Sequence, residues 1–199
     1  MWLSSHEQNE ISIRIEQNSG FLNCIGIVDG TLLPLEYWPT ANGKDCKGRK
    51  LGYSVNAMIV CDDNALIWDY VVGWPGSTHD NRVWSNMDLC LGSHKYFASQ
   101  EYVLGDSAFQ PSHVMIPVFK KPSGAILERR KEFFNERLAK PKVKSEHCIG
   151  VLKGRFPFLK NIQTNGWFNM SLQQWYCTIC LFTTSLMKNG CWWWVAPTS

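Results

Sequence analysis

The sequence has no apolar run long enough to cross a membrane. A membrane-spanning helix needs about 20 consecutive apolar residues, and the longest candidate, Trp175–Met187, falls short of that length. A secretory signal is lacking too, because Met1–Glu16 alternates polar and apolar residues and contains no apolar core. Both absences predict an intracellular protein with no membrane partner.

Cysteine pairs with metal-binding spacing are also scarce. The eight cysteines are scattered through 199 residues, a length that can bury a core without disulfide staples. Cys177 and Cys180 have the spacing of a zinc-binding pair, but no second pair accompanies them and the five histidines are not spaced as partners. The sequence therefore predicts reduced thiols and no zinc site in one globular domain.

The chain as a whole carries little net charge, but one segment is strongly basic. The net charge is only +3. Residues 120–160, called the basic segment below, contain twelve of the twenty Lys and Arg and four Glu, so this segment carries +8 and the remainder −5. Such a local field suits a polyanion such as nucleic acid. An ordinary solvated helical surface explains the same pattern, and charge alone does not separate the two.

The first apolar run predicts a buried strand. Phe21–Val28 is continuously apolar, as in a strand covered on both faces. Asp29-Gly30-Thr31 interrupts this run before Leu32–Leu35 resumes it. An aspartate inside a buried strand is costly unless a partner or a cation neutralises it. A turn aspartate before a glycine is the simpler alternative.

A predicted hairpin leads into a turn that carries a histidine and an aspartate. Leu51–Val60 and Ala65–Gly73 predict antiparallel strands, because a short polar turn joins them. A Pro-Gly turn then precedes His79 and Asp80. Functional side chains collect on turns that rigid strands hold in place, so this turn is a candidate site.

Two further acidic residues lie on separate predicted elements. Tyr102–Leu104 predicts a short buried strand, and Asp106 follows it closely. Glu128–Leu138 predicts a helix, and Lys142–Phe156 predicts a second helix that the preceding proline would open. Glu146 then falls in the first turn, where favourable interaction with the helix dipole is sufficient reason for its presence.

The chain thus supplies four acidic residues on separate elements: Asp29, Asp80, Asp106 and Glu146. Brought together without neutralisation, these carboxylates would repel one another. Mg²⁺ or Mn²⁺ would relieve the repulsion, because both prefer oxygen ligands and bind through carboxylates, waters and phosphate. Together with the basic segment, the pattern predicts metal-dependent chemistry on nucleic acid, such as phosphodiester cleavage by an activated water.

Four motifs together resemble the Harbinger/PIF-type transposase nuclease domain, a DDE superfamily endonuclease. The motifs, in the family's order over roughly residues 20–165, are Gly26–Thr31, Gly73–Arg82, Leu104–Phe109 and Ser145–Phe156. The resemblance implies an α/β, RNase H-like fold with a mixed central β-sheet flanked by helices. It also implies a divalent-metal-dependent DNA endonuclease.

The resemblance assigns the site residues as well. It implies that Asp29, Asp80, Asp106 and Glu146 bind Mg²⁺ or Mn²⁺. The catalytic triad falls on Asp29, Asp80 and Glu146, with Asp106 as an additional carboxylate near the metal. The implied reaction is hydrolytic cutting of DNA, followed by attack of a 3′-hydroxyl on target DNA, without a covalent enzyme intermediate.

Nearby residues receive supporting roles in this scheme. His79 is expected to be structural, because the metal supplies the nucleophile. Lys153 or Arg155 is expected to contact a backbone phosphate. Lys142 stands four positions before the glutamate, where the family commonly has an arginine.

The resemblance divides the chain into three parts. Residues 1–20 are expected to be a remnant N-terminal helix or linker, residues 21–175 the endonuclease domain, and residues 176–199 an atypical C-terminal tail. Three consecutive tryptophans in the tail fit a shifted reading frame or a wrongly predicted exon. The expected partner is DNA in the nucleus, and a separate DNA-binding protein or a second copy of the chain is left open.

The sequence is also compatible with two other functions. A catalytically inactive, domesticated or degenerate transposase remnant would bind DNA or protein through the basic segment. A metal-dependent phosphatase for small substrates would use the same carboxylates, although the basic segment argues against it.

Overall fold

The computed structural model of the protein describes residues 3–36, 52–121, 123–124 and 126–162. The predictions for Trp175–Met187 and for the tail 176–199 lie outside these residues. Within them, five strands form one sheet of order β3-β2-β1-β4-β5. The strands are β1 (Cys24–Leu35), β2 (Tyr53–Cys61), β3 (Ile67–Pro75), β4 (Tyr102–Gly105) and β5 (Met115–Pro117).

The sheet is mixed. β1 pairs antiparallel with β2, and β2 pairs antiparallel with β3. β1 also pairs parallel with β4, and β4 pairs parallel with β5. The central strand β1 therefore separates an antiparallel half from a parallel half. This is the α/β, RNase H-like arrangement that the sequence predicts.

Helices cover both faces of the sheet. One face packs against α1 (Ser5–Ser19) and α5 (Arg129–Arg155), and the other against α2 (Asp80–Ser85) and α3 (Asp88–Leu91). The short helix α4 (Ser93–Tyr96) follows α3, and one 3₁₀ turn follows α5. Among the described helices, none has the length and apolar character needed to span a bilayer.

Strand β1 is continuous through Asp29, Gly30 and Thr31. It spans 12 residues and pairs with β2 from Ile27 opposite Cys61 to Leu35 opposite Tyr53. The predicted interruption is therefore wrong, and so is the explanation of Asp29 as a turn residue. The pairing with β2 outweighs the weak strand preference of Asp and Gly.

The predicted hairpin is confirmed. The turn between β2 and β3 is held by the Asp62 carboxylate, which accepts hydrogen bonds from the backbone N–H groups of Asn64 and Leu66 at 2.9 and 2.8 Å. Arg14 of α1 lies 3.0 Å from the carboxylates of both Asp62 and Asp63. These two aspartates therefore stabilise a turn and attach α1 to it.

Helix α5 runs for 27 residues and contains Pro141 in its interior. The predicted break into two helices is wrong. A proline inside a helix removes one hydrogen bond and costs about 3 kcal/mol, but Leu138 before it and Ser145 and Leu152 after it are buried on the same side of the helix. Both halves therefore pack on one face of the sheet. Glu146 lies in the second half of α5, so the helix-dipole explanation for this residue no longer applies.

The sequence also predicts a loop over residues 111–127 and a short helix over Arg82–Leu91, where apolar residues recur at helical spacing. The structure differs from both predictions. Met115–Pro117, in the region predicted to be a loop, forms β5. A strand of three residues is too short to show a strand period in the sequence. The predicted helix Arg82–Leu91 is divided into α2 and α3, and α2 already begins at Asp80.

Asp69 on β3 lowers the free energy of unfolding at neutral pH. The pKa of Asp69 is raised from 3.8 to about 6, mainly by burial; a hydrogen bond with the backbone of Tyr70 lowers it and the charge of Asp88 raises it. Between pH 4 and 6, roughly, the folded state therefore holds more protons than the unfolded state, so stability falls as the pH rises through this window and is level above it.

Replacing Asp69 with asparagine is therefore expected to raise the free energy of unfolding at pH 7.5 by about 1–3 kcal/mol. The same substitution is expected to have little effect at pH 4, where the native carboxyl is already protonated. Urea unfolding of both proteins at each pH measures the difference, in which the contributions of other carboxyls cancel. An equal effect at both pH values would contradict this assignment.

Candidate active site

Asp29 lies on β1, and Asp106 directly follows the neighbouring strand β4. Ile27 of β1 pairs with Leu104 of β4 in parallel, and each aspartate follows its paired residue by two positions. Because every second side chain of a strand returns to the same face, both carboxyl groups lie on the face of Ile27 and Leu104. That face packs against α1 and α5.

The turn after β4 holds Asp106 in place. The Asp106 carboxylate accepts a hydrogen bond of 2.6 Å from the backbone N–H of Ala108, an interaction typical of aspartate turns. Phe109 follows, is buried and packs edge-on against Trp84, with ring centroids 6.5 Å apart. The turn is therefore anchored in the core on the far side of the sheet.

Helix α5 contacts β1 beside Asp29. The Ser145 hydroxyl lies 3.2 Å from Asp29 Oδ2 and 2.8 Å from the carbonyl oxygen of Lys142, and its single hydrogen serves these two acceptors. Ser145 itself is buried. Glu146 is the next residue and is exposed, so α5 delivers a carboxylate to the edge of the same region.

Asp29 is half-buried among charges of both signs. Burial raises the pKa of Asp29 to about 6. The charge of Lys142 and the hydrogen bond from Ser145 lower this pKa, whereas the smaller effects of the Asp106 and Glu146 charges raise it. The electrostatics thus couple Asp29 to the two acidic residues on β4 and α5.

Lys153 forms a second contact between α5 and β1. Its ammonium donates to Thr31 Oγ1 at 2.7 Å and to the carbonyl oxygen of Leu32 at 2.9 Å. Burial lowers the pKa of Lys153. The ammonium is therefore engaged with the strand that carries Asp29, while the other predicted phosphate contact, Arg155, is exposed at the end of α5.

Asp80 occupies the opposite face of β1. A Cβ atom built on Gly30 would lie 2.8 Å from Asp80 Oδ1, so the carboxylate fills the space left by the absent side chain. Because Asp29 and Gly30 are consecutive, their side-chain positions point to opposite faces. Asn56 Nδ2 donates to Asp80 Oδ1 at 2.9 Å and to the carbonyl oxygen of Thr78 at 3.1 Å.

His79 precedes α2 and is exposed. Its side chain makes no capping hydrogen bond, whereas its carbonyl oxygen accepts from the backbone N–H groups of Arg82 and Val83. The contribution of His79 to the described structure therefore comes from its backbone, and the supporting role of its side chain stays a prediction.

The donor chemistry of the region fits Mg²⁺ or Mn²⁺. Both ions prefer carboxylate oxygens, and burial raises the pKa of Asp29, so a bound cation would favour its ionised form. Across the residues that the structure describes, no three His, Cys, Asp or Glu side chains converge into a ready-made metal cluster. Mg²⁺, however, is usually bound through one or two carboxylates together with water and phosphate, and the neighbouring Asp29 and Asp106 suit that mode.

Two polar residues of this region were not singled out from the sequence. Ser145 was part of a motif without a role of its own, although its spacing of seven from Leu138 and from Leu152 places it on the buried face of α5. Asn56 interrupts an apolar strand at a buried position, and a buried amide requires partners. That burial requirement was the available signal in both cases.

Comparison with known proteins supports the assignment that the motifs suggested. A model of the DDE superfamily endonuclease family matches residues 28–183, which include all four predicted acidic residues. The chain is also similar to Protein ALP1-like from Arabidopsis thaliana, with 26% identity over 170 residues. That match covers 77% of this chain, and the chain spans 41% of the length of that relative. No solved structure matches the chain significantly. The chain therefore belongs to the DDE superfamily endonuclease family.

Proposed function

We propose that the protein is a divalent-metal-dependent nuclease of the transposase type that hydrolyses DNA phosphodiester bonds. The observation that carries this proposal is that Asp29 and Asp106 each follow a member of the parallel pair Ile27–Leu104 by two positions, with the charges of Asp106 and Glu146 acting on Asp29. Family membership supplies the reaction class.

In this proposal Asp29 and Asp106 bind the metal directly, and Glu146 is the further carboxylate at the edge of the site. The sequence resemblance gave Asp80 the second position of the triad and made Asp106 an additional carboxylate. The strand positions favour the reverse assignment, because Asp106 shares a face of the sheet with Asp29 whereas the Asp80 carboxylate lies against Gly30 on the other face.

A bound Mg²⁺ or Mn²⁺ would lower the pKa of a coordinated water and offset negative charge on the phosphate oxygens. The residues of the chain prepare the site for this role. Ser145 orients the Asp29 carboxylate through Oδ2, and the positive charge of Lys142 favours its ionised form. Lys153 fixes α5 to β1 and so keeps Glu146 beside Asp29.

The first half of α5 provides a surface for the DNA backbone. The exposed cations of this surface are Arg129, Arg130, Lys131, Arg137, Lys140 and Lys144. In the part of the chain that the structure describes, Lys131 is the one member of this set that forms an ion pair, with Glu128 at 3.6 Å. A row of like charges without carboxylate partners favours a polyanion. We therefore include DNA as the partner and the nucleus as the location.

Plasmid nicking tests the proposal. Purified protein is incubated with supercoiled plasmid and Mn²⁺ or Mg²⁺, with EDTA as the metal-free control and Asp29→Asn as the site variant. Nicking is expected with metal, and its rate is expected to fall at least about 100-fold in the variant, because removing groups that only orient metal ligands already costs 10–100-fold. Asp88→Asn, an exposed substitution on α3, is the matched control and is expected to nick at the parental rate.

Other outcomes would replace the proposal. Salt-sensitive DNA binding without nicking in any divalent metal would indicate a binding module, the role of an inactive transposase remnant. Hydrolysis of small phosphate esters without DNA cleavage would indicate a phosphatase.

A further inference from the structure

The contacts of Asp80 join three elements on one face of the sheet. Asp80 is the first residue of α2, Gly30 lies on β1, and Asn56 lies on β2. In the β1–β2 register Gly30 is opposite Met58 and Leu32 is opposite Asn56, so Gly30 and Asn56 are diagonal neighbours on the same face. The carboxylate therefore lies where α2 meets the two central strands.

Asn56 uses both of its N–H donors at this point. One bonds to the Thr78 carbonyl at 3.1 Å and the other to Asp80 Oδ1 at 2.9 Å, while the residue is 2% exposed. Its own Oδ1 is buried and has no hydrogen-bond partner among the described residues. An unpartnered buried acceptor is costly, so the orientation of this amide is determined by its two donors. The amide is held in the position that secures Asp80 and the loop before it.

We propose that Asp80 is a positioning residue. Held by Asn56, its carboxylate packs against Gly30 and so fixes the backbone of β1 at Asp29. It acts on the strand from the face opposite the metal ligands and is not itself a ligand. This inference rests on the proposed function, because it assigns a role within the same site.

The contact of Asp80 with Gly30 affects Asp29 through the peptide that joins Asp29 to Gly30. With no side chain, Gly30 lets the carboxylate approach the strand within contact distance, and an added Cβ would lie 2.8 Å from Oδ1 and 2.9 Å from Cγ of Asp80. A shift of Gly30 toward α2 would rotate the preceding residue and move the Asp29 carboxyl away from Ser145 and Asp106. The contact thus limits motion of the strand at the level where the site is built.

Three variants separate positioning from ligation. Asp80→Asn removes the charge but keeps an oxygen that accepts from Asn56, whereas Asp80→Ala and Asn56→Ala each remove the bond. Asp80→Asn is expected to keep the nicking rate within about 5-fold of the parent and to leave the half-saturating Mn²⁺ concentration unchanged. Asp80→Ala and Asn56→Ala are each expected to lower the rate at saturating Mn²⁺ by 10–100-fold, the range seen when groups that orient ligands are lost. The double alanine variant is expected to be no slower than the slower single variant, because both remove one contact.

A ligand role would give the opposite result. Loss of activity in Asp80→Asn equal to that in Asp29→Asn, or a raised half-saturating Mn²⁺ concentration, would overturn the proposal. Comparable folding of the variants is checked by thermal unfolding.

Hydrogen exchange keeps the test independent of catalysis. Backbone amides around Gly30 are expected to exchange at least about 10-fold faster in Asp80→Ala than in Asp80→Asn, because only the alanine variant frees the strand. Equal exchange in the two variants would overturn the positioning role whether or not the protein cuts DNA. If the parent protein does not nick DNA but the exchange difference is present, the nuclease assignment is refuted. The role of Asp80 in catalysis falls with it, whereas its structural role in holding β1 stands.

Discussion

Replacing Asp106 with asparagine is expected to lower metal-dependent DNA nicking at least about 100-fold, because the proposed site would lose the carboxylate that follows β4 beside Asp29. Asparagine has nearly the same shape and can still accept the hydrogen bond from the Ala108 backbone. The substitution therefore leaves the turn after β4 in place and removes only the charge beside Asp29. Initial rates on supercoiled plasmid at saturating Mn²⁺ measure the effect.

The comparison with Asp80→Asn makes this result informative. From the strand geometry we expect a large loss of nicking rate in Asp106→Asn and a small one in Asp80→Asn, since only Asp106 shares the face of Asp29. The assignment made from the sequence resemblance predicts the larger loss of nicking rate in Asp80→Asn. A parental rate in Asp106→Asn together with an inactive Asp80→Asn would return the triad to Asp29, Asp80 and Glu146.

Replacing Leu104 with alanine is expected to lower the free energy of unfolding by about 2–5 kcal/mol, out of a total that is about 5–15 kcal/mol for a domain. Leu104 is 0% exposed and belongs to the cluster between the sheet and helices α1 and α5. The truncated side chain would leave a cavity directly below Asp106. Urea unfolding measures the loss of stability, and a lower nicking rate is expected as well because the carboxylate loses its support.

Leu91→Ala provides the matched control for this prediction. Leu91 is 69% exposed, so the same chemical change is expected to alter stability by no more than about 0.5 kcal/mol. Equal losses in the two variants would show that Leu104 does not lie in a packed core.

The strands of the central sheet were predictable because their sequences are dominated by apolar runs. Phe21–Val28 and the two runs of the hairpin correspond to β1, β2 and β3. The sequence misled where local preference opposed tertiary packing. Gly30 did not interrupt β1, because pairing with β2 continues through it. Pro141 did not divide α5, because both halves bury residues against the same face of the sheet.

The candidate site was predictable as a set of acidic residues but not as an arrangement. Motif order identified Asp29, Asp80, Asp106 and Glu146, and spacing along the chain carries no information about which face of the sheet each carboxylate occupies. That distinction depends on the register of β1 with β4 and on the contact of Asp80 with Gly30. Polar contacts between distant positions, such as that of Ser145 with Asp29, could not be predicted from the sequence either.

The two contacts between α5 and β1 make the last motif sensitive to its length. Ser145 meets Asp29, and eight residues later Lys153 meets Thr31. An α-helix turns by about 100° and advances by about 1.5 Å per residue, so a single inserted residue between these contacts would rotate one of them away from the strand. Substitutions at Gly150, where an added Cβ meets nothing within 4 Å, leave both contacts in register. The number of residues between Ser145 and Lys153 is therefore constrained by the two contacts, whereas the side chain at position 150 is not.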